Sequence, residues 1–86
     1  MGQYAVHQIK TAEARQRDEK RKVVLRQMLR KPGRTGWRSL KTMASVIGTS
    51  EDEAARLLIE IDARGSETGT GVWAFIKDKP LPTADD

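Results

Sequence analysis

Lys22, Arg26 and Arg30 recur at i, i+4 and i+8, so a helix through them carries three cations in one row, with Arg15, Arg17, Lys20, Arg21 and Lys31 around it. Like charges at that spacing cost a helix a few tenths of a kcal/mol per pair, and local stability does not account for the row. The chemistry open to it is neutralisation of a polyanion, because each cation set against a phosphate releases a condensed counterion and strengthens binding. Arg34, Arg38 and Lys41 continue the basic run. Arg30 and Lys31 would also be favoured simply by a helix C-terminus. The competing reading is that these residues only solvate a long helix.

A second constellation has the opposite sign. In TSEDEAARLL, residues 49–58, Ser50 followed three residues later by Glu53 is a capping box, with the hydroxyl accepting from the Glu53 N–H and the carboxylate reaching back. Glu51, Asp52 and Glu53 complement the helix dipole at a few tenths of a kcal/mol to ~1 kcal/mol each. The same carboxylates would repel phosphates. Arg56 is the one residue on the outward side of this helix suited to a guanine edge or a phosphate. Ile59, apolar at an expected exposed position, with Leu57 and Ala55 beside it, offers a docking patch instead.

Catalytic arrangements are missing from the sequence. His7 is the only histidine and there is no cysteine, which leaves no base–nucleophile pair, no thiolate and no Cys-based zinc site. Ser39 and Ser50 read as helix caps, while Glu60 and Asp62 stand two apart on a helix and do not face each other. GRTG and TGTG match neither a phosphate-binding loop nor a dinucleotide fingerprint. Trp37 and Trp73 can stack on bases or cap a small core. No enzyme activity, cofactor, metal or small-molecule substrate is expected.

A chain of 86 residues, 33% charged and 37% hydrophobic, supports one small core. It contains no apolar run near the ~18 residues of a membrane span, and MGQYAVHQIK lacks a secretory leader, so a cytoplasmic protein is expected. Residues 1–43 hold 12 Lys/Arg against 3 Asp/Glu, and residues 44–86 hold 4 against 9. Such a sequence dipole suits a polyanionic partner for the first half, or head-to-tail contact between two copies.

The elements that must position these groups follow from local signals. Residues 1–11 read as a flexible arm, with a short added strand through Tyr4, Val6 and Ile9 as the alternative, and Thr11 caps a helix running to Lys31, where Pro32-Gly33 stops it. Only the second half of that helix has a core face, Val24, Leu25, Met28 and Leu29. Residues 12–22 offer only alanines and are expected to project or fray. After the PGRTG connector and an extended Trp37, Ser39 caps a helix burying Leu40, Met43, Ala44 and Ile47 and ending at Gly48. The acidic helix buries Ala54, Leu58 and Ile61, with Gly65 as its left-handed cap. SETGTGVWAFIKDK gives two short strands around a two-residue Gly69-Thr70 turn. The domain spans 12–79, and residues 80–86 have the composition of a disordered tail.

This order, with Leu40, Met43-Ala44, Ile47-Gly48, Ser50, Ala54, Leu58, Ile61, Gly65 and Trp73 at the packing and turn positions, resembles a winged helix-turn-helix of the small bacterial or phage DNA-binding kind. The resemblance covers about residues 22–77. It implies an α+β, mainly α fold of three helices and a short β-hairpin wing. It also implies non-enzymatic DNA binding, with transcription regulation as one such role. Phosphates would then meet Lys22, Arg26, Arg30, Lys31, Arg34, Arg38 and Lys41, and Arg56 would enter the groove. The family's outward helix positions correspond here to Glu51, Asp52, Ala55, Arg56 and Ile59, so sequence-specific readout is expected to be weak. The alternative is a protein-interaction module using Glu51, Asp52, Leu57 and Ile59.

Overall fold

The computed structural model of the chain describes residues 11–82. Residues 1–10 of the expected arm, with His7, and residues 83–86 of the expected tail lie outside that range. Thr11 Oγ1 accepts from the Ala14 N–H at 3.1 Å and opens helix α1, Ala12–Arg30. Leu25 and Leu29 are buried along its second half, and Val24 and Met28 pack against the same core. Strand β1, Arg38–Ser39, leads directly into α2, Leu40–Ile47, because the Ser39 hydroxyl accepts from the Thr42 N–H at 3.2 Å. Gly48 ends α2 in the left-handed region, at φ 71°, and its N–H reaches the Ala44 and Ser45 carbonyls. A side chain there would add roughly 1–2 kcal/mol of strain.

Ser50 caps α3, Glu51–Glu60, through the Glu53 N–H at 3.1 Å, as the sequence indicates. Ala54, Leu57, Leu58 and Ile61 are buried on α3 and just beyond it, at the i, i+3, i+4, i+7 spacing of a broad apolar face. The helix is that broad because it packs against α1, α2 and strand β2, Ala63–Gly65.

Two turns depart from expectation. Asp62, not Gly65, takes the left-handed conformation after α3, with φ 64°. A short polar side chain tolerates that region, and the Asp62 carbonyl is fixed by accepting from the Ile76 N–H at 2.9 Å. Gly65 instead ends β2, where an added Cβ would stand 3.2 Å from the Trp73 ring. The missing side chain is the room the indole occupies. The hairpin to β3, Val72–Phe75, is also longer than a two-residue turn. Its ends close where Ser66 N–H donates to the Val72 carbonyl at 2.8 Å, and a tighter turn sits inside, Gly69 N–H to the Ser66 carbonyl at 3.3 Å.

Strand β3 is the centre of an antiparallel sheet ordered β1-β3-β2, with Trp73 opposite Arg38 on one side and Gly65 on the other. Leu25, Leu29, Met43, Leu57 and Leu58 are fully buried, and Ala63 and Phe75 close the core from the sheet. Each such leucine contributes roughly 1.5–3 kcal/mol through removal from water. The described residues thus form an α+β, mainly helical fold of three helices and one small three-stranded antiparallel sheet. None of its helices is long and apolar enough to cross a membrane.

Candidate nucleic-acid interface

The first half of α1 has no apolar face, yet it is docked. Asp18 is buried, and its carboxylate lies 3.2 Å from Arg56 on α3 and 3.6 Å from Arg21 one turn along α1. Arg56 also bonds to Glu53 and Glu60, which flank it on α3 at i−3 and i+4. Lys22 bridges Glu60 at 2.7 Å and Glu19 at 3.0 Å. Arg21 Nε donates to the Ile47 carbonyl at 3.1 Å, a cation at the C-terminus of α2, where the helix dipole favours it. Asp18 and Lys22, one turn apart on α1, therefore meet Arg56 and Glu60, one turn apart on α3. Opposite charges at matching helical spacing are the sequence signal for this docking, and apolar periodicity over residues 12–22 does not register it.

Two of the eight cations expected to meet nucleic acid are consequently paired with carboxylates, Lys22 with its side chain largely covered and Arg56 with 40% of its side chain still exposed. Hydrogen bonding to Glu60, then to Glu19, raises the Lys22 pKa above the ordinary lysine value. The Arg56 pKa is raised as well, first by its hydrogen bond to Glu53 and further by the one to Asp18. Both stay charged, with carboxylates where phosphates were expected. Arg56 thus joins α3 to α1, with its guanidinium shared among Asp18, Glu53 and Glu60.

The other six follow the chain around one junction. Arg26 is half-buried in the second half of α1, Arg30 and Lys31 are exposed at its end, and Arg34 is exposed in the connector. Arg38 Nε donates to the Met28 carbonyl at 3.1 Å, which ties β1 to the last turn of α1 and caps an orphan carbonyl. Lys41 is exposed in the first turn of α2. Among the described residues no carboxylate forms an ion pair with any of these six. Among the described residues the junction is a positively charged surface without an acidic ion-pair partner.

The protein-docking residues divide differently. Glu51 and Asp52 are exposed at the start of α3, and Ile59 is 63% exposed. Leu57 is not a surface residue, because it is fully buried among α3 and its neighbours. Its place was visible in the 54, 57, 58, 61 spacing, which outweighs its adjacency to Ile59. No group of histidine, cysteine, aspartate and glutamate among the described residues could hold a metal ion. Comparison with protein-family models, with curated proteins and with solved structures finds no match to this chain.

Proposed function

We propose that the chain is a winged helix-turn-helix domain that binds DNA without acting on it chemically, holding phosphates at the junction of α1, the connector, β1 and α2. The order of three helices followed by a β2–β3 hairpin, with β1 as a third strand, suits that architecture. The observation that carries the reading is the division of the cations. Lys22 and Arg56 are neutralised by carboxylates, whereas Arg26, Arg30, Lys31, Arg34, Arg38 and Lys41 have no acidic partner among the described residues. Phosphate contacts position a protein on a duplex and carry no sequence information directly, so binding of low sequence preference follows.

Titration of a random-sequence duplex at several salt concentrations tests this. Changing Arg30, Lys31 and Arg34 together to Gln should weaken binding of unrelated duplexes about equally. The slope of log K against log salt should fall by roughly 0.9 per lost phosphate contact. Lys22→Gln should leave that slope unchanged. A triple variant with the parent slope would remove the junction from the interface.

A second reading is favoured by one observation, the 63% exposure of Ile59 on the helix that begins with exposed Glu51 and Asp52. In it the outward side of α3 meets a basic, partly apolar protein partner. Replacing Glu51 and Asp52 by Gln and Asn would then slow formation of that complex and leave DNA binding untouched.

A further inference from the structure

Trp37 stands outside the core cluster, although Trp73, its counterpart in the sheet, packs against it. Its ring instead forms part of a groove of about 430 Å³ between the connector and the hairpin loop, walled by Arg64 and Val72 and rimmed by Ser66, Thr68 and Thr70. A space of that size lies within the ~300–1,000 Å³ of small-ligand sites. We infer that this groove takes one unpaired nucleobase, stacked on Trp37, of a single-stranded stretch whose phosphates run onto the basic junction. The inference rests on the nucleic-acid reading above and specifies part of its ligand.

Three features of the groove point to that occupant. An indole face attracts any base, because every base has a π-face, and such stacking tolerates sequence. The guanidinium of Arg64 lies over the Trp37 ring, 5.5 Å from its centre, and is held there by donating to the Gly65 carbonyl at 3.1 Å and the Pro80 carbonyl at 2.8 Å, so a stacked base shares the indole with a fixed cation. The hydroxyls of Ser66, Thr68 and Thr70 form a chain, 2.6 Å and 3.2 Å between successive oxygens, and present donors and acceptors that can adjust to a base edge. Charge selects the strand as well. Arg34 and Arg38 flank the Thr35–Trp37 segment and the Lys79 ammonium lies over the same ring, 5.8 Å from its centre, while Glu67 is the one carboxylate among the residues lining the groove. The surroundings are net positive, and the phosphates on either side of a stacked base enter a favourable field.

The test uses the full chain and three probes of equal length: a thymidine dodecamer, an abasic dodecamer with the same phosphates, and a blunt duplex. The thymidine strand should bind roughly tenfold more tightly than the abasic strand. Trp37→Leu should remove that preference and leave the duplex affinity unchanged. Equal binding of thymidine and abasic strands by the parent protein overturns the base site while the phosphate reading stands, and that comparison does not depend on the variant folding. Binding of none of the three probes overturns both.

Discussion

Leu57 and Ile59 stand two positions apart on α3 and face opposite environments, one fully buried and the other 63% exposed. Their chemistry is nearly the same, so the difference in what each does is a matter of phase on the helix. Leu57→Ala should destabilise the domain by about 2–5 kcal/mol, through lost burial and the cavity left behind. Ile59→Ala should change stability by less than ~0.5 kcal/mol. Urea denaturation midpoints of the two variants check the pair together. A large effect at Ile59 would mean that α3 is rotated from the orientation described.

At the scale of elements, α1 is held by two kinds of contact in series. Its second half is fixed by Leu25 and Leu29 in the core, its first half by charge across the Asp18–Arg56 and Lys22–Glu60 pairs. Asp18→Ala should cost about 1–3 kcal/mol, the penalty for removing a partner from a partly buried charged hydrogen-bond network. Amide hydrogen exchange should accelerate over residues 15–22 more than over residues 25–29. Helix starts were legible in the sequence, at Thr11, Ser39 and Ser50, because each is set by a hydroxyl and an N–H three residues on. Gly48 was legible for the same reason of locality. The turn at Asp62 was not, since it is fixed by Ile76 from the far side of the hairpin. Nor was the carboxylate pairing of Lys22 and Arg56 between α1 and α3, because each lies in a row of charges that reads as surface until another helix is laid against it. The groove at Trp37 likewise needs the hairpin loop, which approaches it only in the folded chain.

Over the whole molecule, charge is divided between holding the fold and facing outward. Lys22 makes a pH-dependent part of the first task. Its folded pKa is raised, so its contribution is fully present below the unfolded value of about 10.4 and is lost as pH rises through the folded value. Stability should therefore show no loss from this residue near neutrality and a decline above about pH 10.4. Lys22→Met should remove that part of the alkaline decline, read from urea midpoints at neutral and strongly alkaline pH. An alkaline decline identical in parent and variant would separate Lys22 from the effect. The pairing of β1 with β3 carries a different kind of consequence, one of timing. β1 precedes α2 and α3 in the chain and β3 follows them, so setting Arg38 opposite Trp73 closes a loop that contains both helices. Two residues of ladder give little to offset that closure entropy in an otherwise unstructured chain. Loop closure therefore predicts that β1 latches after the helices dock, so the basic junction and the Trp37 groove beside it are expected to be completed late in folding.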